Sequence, residues 1–509
     1  MIDRILTVGG ITLLSRVTGF LRDIMLAAVL GAGPVADAFF VALRLPNHFR
    51  AIFAEGAFNA AFIPAYARVR ATSGDDAVRR FSDRIFMLLL GSQIVLLGVA
   101  LLFTPVVIDL LAPGFSKNPG HFALAVDLTR ITFPYLLLVS LVTLYGGILN
   151  ALDRFAAAAA APILLNLSMM MTLALAAFFP TAGHAAAWGV LLAGFLEFLL
   201  VGGDAARVGV LPHFAWPTLD AEVITFLKRF WPATIGSAGT QIALFADTII
   251  ASFLATGALS ALYYADRLNQ LPIGVIGIAA GTVLLPEMAR RITAGDEAGA
   301  RHSQNRAIEL TLLLSVPCLV AFVIVPDPIM QGLFGRGAFT AADAHAAALT
   351  LMAYAIGLLP FVLMRSVTAT FLSRGDTATP VKALFASVAV NVLLKILLMD
   401  RYAQVGLAFA TSVGAWINLA LLVWFSTRRN FLVIDQGLRR SSGKVALAGA
   451  VLGAALLLCQ RPVGALFSGW SSLRNEMTLL VLAAIGAIIY GIAVRMLFSR
   501  EWRTLIKGR

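Results

Sequence analysis

Apolar runs of about 20 residues recur along the whole chain, each long enough to cross roughly 30 Å of hydrocarbon. Fourteen can be counted, near 5–31, 36–66, 85–112, 122–151, 157–179, 185–205, 222–255, 259–289, 305–334, 341–372, 380–399, 403–426, 443–460 and 476–498. A water-soluble fold could not hide them all. The chain is 60% hydrophobic and 13% charged, whereas a soluble domain is nearer 45–50% apolar and about 25% charged. A membrane β-barrel would show short alternating segments instead. The expected class is therefore an all-α polytopic membrane protein with 14 transmembrane helices. The first run is too long for the apolar core of a cleavable signal and is interrupted by arginines, so it reads as the first span.

The net charge of +12 suggests nucleic-acid affinity until its distribution is followed. One set of connections holds Arg68, Arg70, Arg79, Arg80, Arg154, Arg207, Arg290, Arg291, Arg301, Arg374, Arg428, Arg429, Arg439, Arg440 and Lys444, and the tail adds Arg500, Arg503, Lys507 and Arg509. The alternate set offers only Lys117, Arg336, Arg401, Arg461 and Arg474. This is the positive-inside pattern, with both termini cytoplasmic, and it explains the charge without nucleic acid. Cys318 and Cys459 lie within apolar runs and suggest neither a disulfide framework nor a metal site.

The chain also repeats itself. "RDIMLAAVLGAGPVADAFFVALRLP" from Arg22 resembles "ADTIIASFLATGALSALYYADRLNQLP" from Ala246, and "FIPAYAR" ending at Arg68 matches "LLPEMAR" ending at Arg290. Pro134 and Pro360 begin further similar helices, so the offset stays near 222–226 residues. An even number of spans per repeat gives both halves the same orientation, a parallel repeat about the membrane normal. The expected organisation is an N-lobe at 1–215 (spans 1–6) and a C-lobe at 216–430 (spans 7–12). Spans 13 and 14, in 431–509, fall outside the repeat.

Charges inside the runs carry the functional signal, because a central Arg or Lys costs about 2.5–3.5 kcal/mol on insertion scales. Span 1 holds Arg16, Arg22 and Asp23; span 2 holds Asp37, Arg44, Asn47, Arg50 and Glu55; span 8 holds Asp266 and Arg267. At a rise of roughly 1.5 Å per residue, Arg22 and Arg267 lie about 12–13 Å in from the outer helix ends and Arg50 about 21 Å. Helical spacing puts Ser15, Gly19 and Arg22 on one face, Arg16 and Asp23 on the next, and Tyr263 and Gln270 beside Arg267. Pro46 should kink span 2. The plainer reading makes the arginines internal glue for Asp23, Asp37, Glu55 and Asp266, but these acids are fewer than the cations. A wet, cation-lined cavity between two pseudo-symmetric six-helix lobes fits better and calls for an anionic substrate. Arginine rather than lysine favours bidentate binding of carboxylate or phosphate oxygens.

Other buried charges read more plainly. Lys395 lies near the outer end of span 11 and can snorkel; Arg130 and Arg365 read as interfacial. Glu197, in the middle of span 6, has no evident partner. Asp247 in span 7 could bind an ion or pair with Lys395. No GxxxxGK[ST] P-loop, HExxH or His/Cys cluster occurs, so neither an ATP motor nor a metal or other cofactor is expected, and the chain reads as a transporter rather than an enzyme.

"SRVTGFLRD" (15–23), "ADAFFVALRLPNHFRAIFAEGAFNAAFIP" (36–64), "TFPYLLLVSL" (132–141), "LNALDRF" (149–155) and "YYADRLNQLP" (263–272) resemble the MurJ (MviN) lipid II flippase family. That family belongs to the multidrug/oligosaccharidyl-lipid/polysaccharide exporter superfamily. The resemblance covers essentially the whole chain. It implies two six-helix lobes around a V-shaped cavity and two C-terminal helices lining a groove for a polyprenyl tail. It also implies flipping of undecaprenyl-diphosphate-linked disaccharide-pentapeptide across the bacterial cytoplasmic (inner) membrane for peptidoglycan synthesis, among membrane lipids and the cell-wall machinery. The family's diphosphate-binding arginines match Arg22, Arg50 and Arg267, and Arg16 matches another. Asp37, Asn47, Glu55 and Ser260 match residues near the outer end of the cavity, read as gate elements with Asp23 and Arg44. Gln270 replaces an acid frequent in the family, which puts a salt-bridged gate there in doubt. Some relatives bind sodium with acids and an Asn in spans 7 and 11. Asp247 and Asn391 could serve here, but the Lys395 ammonium can stand in for a monovalent cation, so no sodium site is expected. The rival readings are a flippase for another polyprenyl-diphosphate-linked saccharide and a multidrug or cation antiporter. The latter would line its cavity with acids.

Overall fold

The computed structural model describes residues 2–50, 57–216, 218–470 and 473–499. Every regular element among them is helical, and the chain packs as two compact units, residues 1–260 and 261–509.

The first unit contains α1 (Ile2–Leu30), α2 (Pro34–Phe49), α3 (Ala57–Leu102), α4 (Thr104–Leu111), α5 (Pro119–Thr132), α6 (Pro134–Ala151), α7 (Ala156–Ala174), α8 (Ala182–Arg207) and α9 (Ala221–Ser252), and it ends as α10 (Ala258–Pro272) begins. Helix α7 packs on α1 and α8, and α3 on α6 and α9. Small residues permit the closest approach: a Cβ on Gly189 of α8 would lie 2.8 Å from the Met169 Cα of α7, the close-backbone packing typical of membrane helices. An aromatic core joins α3 to α9, with Phe62 stacked on Phe81 at 5.9 Å and Phe226 edge-on to both.

The second unit continues α10 through a π-helical turn at Ile273–Gly277 into α11 (Ile278–Thr293). It then runs through α12 (Glu297–Ile324), α13 (Pro326–Phe334), α14 (Ala341–Ala355), α15 (Leu358–Leu372), α16 (Ala378–Arg428), α17 (Gln436–Leu466) and α18 (Arg474–Leu497). Helix α17 packs on α12 and α18, and α16 on α14 and α15.

Among the described residues, nine helices are long and apolar enough to cross a membrane. Boundaries differ from the sequence reading in instructive ways. The connection expected at Arg68–Arg80 is helical, turning only at Gly74 (φ +81°), a conformation open to glycine without steric cost. Ala403 (φ +45°) makes the corresponding corner inside α16. Pro46 sits inside α2 without ending it. Conversely, apolar runs that read as unbroken are divided at Phe103, Phe133, Val325 and Ile356–Gly357. Each new helix has a proline in its first turn (Pro105, Pro134, Pro326, Pro360), where the missing N–H costs nothing. The breaks recur at the spacing of the sequence repeat.

Candidate functional site

In the first unit, Arg22 of α1 is buried, 7% exposed. Its Nε and Nη2 donate to Asp23 Oδ1 at 3.2 and 2.7 Å, and its Nη1 donates to Asn166 Oδ1 of α7 at 3.0 Å. Asn166 is fixed in turn, its Nδ2 donating to the Ser15 carbonyl and the Thr18 hydroxyl at 3.0 and 3.1 Å. The Asn166 amide and the Asp23 carboxylate both hold this buried guanidinium. Asp23 was expected on a face with Arg16; it pairs with its own neighbour because the long Arg22 side chain folds back to it, while Arg16 is exposed.

Helix α2 presents four further polar groups. Asp37 is 2% exposed and accepts from the backbone N–H groups of Gly257 and Ser260, at 2.7 and 2.8 Å, and from the Ser260 hydroxyl at 2.5 Å. The carboxylate therefore sits where unpaired N–H groups of a starting helix collect partial positive charge. Gly257 makes this turn at φ +90°. Asp37 and Ser260 lie 223 residues apart, so equivalent positions of the two sequence repeats meet. Arg44 Nη1 donates to the Thr248 hydroxyl of α9 at 3.0 Å, and His48 Nδ1 lies 2.8 Å from Gln241 Oε1. Asn47 is half-buried, and its carbonyl accepts from the Arg50 backbone N–H. Glu55 lies outside the described residues.

Glu197 of α8, 2% exposed, does have partners: the Tyr135 hydroxyl of α6 donates to it at 3.4 Å, and the Arg50 charge acts on it. A Cβ on Gly194, one turn earlier, would lie 2.9 Å from the Tyr135 ring, so glycine makes the room that brings phenol to carboxylate. Asp247 is half-buried on α9.

In the second unit, Arg267 of α10 is half-buried. Its Nη2 donates to the Tyr263 hydroxyl at 3.1 Å and its guanidinium lies 4.9 Å from that ring's centroid. Gln270 does not join them; it is exposed and donates to Asp266. Lys395 corrects the expectation of snorkelling: it is 1% exposed, enclosed by protein rather than stretched toward head groups. One turn earlier, the buried Asn391 Oδ1 has no hydrogen-bond partner. Arg365 was expected near a helix end but stands in the middle of α15; a Cβ on Gly277 would lie 3.2 Å from its Cδ, so the π-helical turn supplies the space its stem occupies. Arg130 is exposed and lies 4.0 Å from Asp127.

Sequence reasoning picked out the charges but missed Asn166, Thr248, Gln241 and Tyr135. The only signal for each is a hydrogen-bonding side chain within an apolar run.

The chain matches the lipid II flippase MurJ family over residues 26–478. A "Probable lipid II flippase MurJ" of Rhizobium tropici is 38% identical over 496 residues, covering 96% of this chain and 93% of the relative. Its namesake in Rhizobium meliloti is 41% identical over 462 residues, covering 90% and 86%. A solved lipid II flippase MurJ in an inward closed conformation superposes with a TM-score of 0.82 at 24% identity, covering 97% of this chain and 99% of that one. The fold is that of a multi-pass integral membrane protein, and the chain belongs to the lipid II flippase MurJ family.

Proposed function

We propose that this protein is a lipid II flippase. It carries the diphosphate-linked peptidoglycan precursor from the inner to the outer leaflet of the bacterial cytoplasmic membrane as a transporter, without enzymatic chemistry. The observation that carries this reading is the family match across residues 26–478. The buried, pre-oriented Arg22 supports it physically, because a diphosphate is the part of such a lipid that most needs a cation in low dielectric.

In this reading fourteen spans cross the membrane with both termini cytoplasmic. Lobes at 1–215 and 216–430 enclose the cavity, and 431–509 holds the polyprenyl tail. Lipid II enters laterally between spans 1 and 8. Arg22, Arg50 and Arg267 take the diphosphate; with their charge neutralised, repulsion between lobes falls and closure toward the outward-open state is favoured. Arg16, Asp23, Arg44, Asn47 and Glu55 shape the cavity and gate. Asp37 with Ser260 forms a gate latch: three donors on one carboxylate make a contact with two discrete states, made or broken. Gln270 holds Asp266 rather than closing a salt bridge. No cofactor takes part, and Lys395 stands in for the cation at Asp247 and Asn391. The cell-wall synthesis machinery is the expected company.

The test is complementation of a bacterium depleted of its own flippase. Rescue by this chain, with failure of well-inserted Arg22→Ala, Arg50→Ala and Arg267→Ala variants, is the expected result. Rescue by all three variants would make the arginines structural. Failure of a properly inserted native chain would redirect the reading toward another polyprenyl-diphosphate-linked saccharide.

A further inference from the structure

Between α3 and α9 of the first unit lies a cavity of about 370 Å³ with no role in the reading above and no arginine in its wall. Phe58, Phe226, Phe230 and Trp231 provide aromatic faces, and aliphatic side chains of α3 supply most of the remainder. Its volume falls within the roughly 300–1,000 Å³ of small-molecule sites. Trp231 at the rim is 56% exposed, and the neighbouring Ile94 and Val95 of α3 are 53% and 67% exposed, so the cavity opens on the apolar outer surface of the helices.

One buried polar side chain breaks the apolar wall. Gln93 is only 5% exposed, and its Oε1 is buried with no hydrogen-bond partner. Leaving such an acceptor unpaired costs about 1–3 kcal/mol. Water is a poor solution, because a buried water needs two to four polar partners. The other polar side chain in the wall, Ser92, already donates its hydroxyl to the Leu89 carbonyl at 2.8 Å. The occupant that completes this site has an apolar body and a single donor.

We propose that this cavity binds a membrane-dissolved amphiphile of roughly a dozen non-hydrogen atoms, taking about 30 Å³ per atom-sized volume, whose hydroxyl or amide N–H donates to Gln93 Oε1. The aromatic rings hold the apolar body, and Gln93 distinguishes this class from a plain hydrocarbon or acyl chain.

The test uses the full-length protein in neutral phosphatidylcholine nanodiscs with two photoreactive probes, a diazirine-bearing decanol and the matching decane. Adducts are mapped by mass spectrometry. The alcohol should label the 58–96 and 226–231 segments saturably, whereas the alkane should label without saturation. Gln93→Leu should weaken the alcohol's half-saturation by about five-fold, the equivalent of one hydrogen bond. Leu89→Trp, which fills the cavity while keeping Gln93, should abolish saturable labelling and decides the matter if Gln93→Leu does not fold. Labelling that is alike for both probes, or saturable labelling unaffected by the variant that folds, overturns the proposal.

Discussion

Arg22 and Arg267 carry the same charge in apolar helices, but the two units hold them by opposite means. Arg22 is enclosed, with an adjacent carboxylate and an amide from another helix aimed at it. Arg267 is half-buried against a phenol of its own helix, one turn back, through ring and hydroxyl. The first arrangement is pre-organised by tertiary packing: its direction is set by a side chain of another helix before any anion arrives. The second is local, built from two side chains one turn apart on a single helix.

The sharpest way to break this contrast is to remove each cation and measure stability separately from transport. Arg22→Ala removes the guanidinium paired with the Asp23 carboxylate, which is 4% exposed, and should cost about 3–5 kcal/mol of stability, the usual penalty for halving a buried ion pair. Asp23→Asn in the same chain should restore the melting temperature but not complementation. Arg267→Ala should abolish complementation with about 1 kcal/mol of destabilisation. Equal melting losses for the two arginines would end the distinction between tertiary and local support.

Asn166 tests what the fixed arrangement is worth. Asn166→Ala removes the amide that links Arg22 to Ser15 and Thr18. It should cost about 3 kcal/mol, three net hydrogen bonds at about 1 kcal/mol each, and weaken binding of the diphosphate-linked lipid about ten-fold without abolishing complementation. An unchanged affinity would mean that the Asn166 amide does not orient the guanidinium. On the half-buried side the effect is smaller. Tyr263→Phe keeps the ring 4.9 Å from Arg267 and loses only the hydroxyl, so transport should fall about two- to three-fold; Tyr263→Leu, which also loses the cation–π contact, should fall further.

How much of this was legible in the sequence follows the same contrast. Arg22, Arg50 and Arg267 stand out because charge in an apolar run is rare and costly. The Arg267–Tyr263 contact could be read from helical spacing alone, since its two residues are four apart. The Arg22–Asn166 bond spans 144 residues, and an isolated Asn in the apolar "PILLNLSMMM" stretch does not name its partner. Lys395 was misread because position along a helix gives depth but not which side is covered; neighbouring helices decided that, and they bury it. The proline signals were ambiguous for a physical reason. Pro134 and Pro326 start new helices while Pro64 and Pro232 sit inside them, and only neighbouring packing determines whether a freed carbonyl is tolerated.

Asp376 supplies the smallest effect, and one readable by pH. It stands outside the apolar spans, in the turn before α16. The Thr379 hydroxyl and the Thr379 backbone N–H donate to it at 2.6 and 3.0 Å, and Arg429 Nη1 at 2.5 Å. Together these hold its carboxyl at about 2, with the Thr379 hydroxyl bond the largest cause, against an unfolded value near 3.9. Because the folded value is depressed, the stabilisation is complete above about pH 4 and is lost as pH falls toward 2. Asp376→Asn should therefore lower the melting temperature slightly at pH 7, with the gap to the native chain closing between pH 4 and pH 2. Melting curves in detergent across that window are the check. A gap of constant size would mean that the side chain acts through its shape and hydrogen-bond count rather than its charge. The anchors of this turn would then resemble the neutral Asn166 more than the charged partner of Arg22.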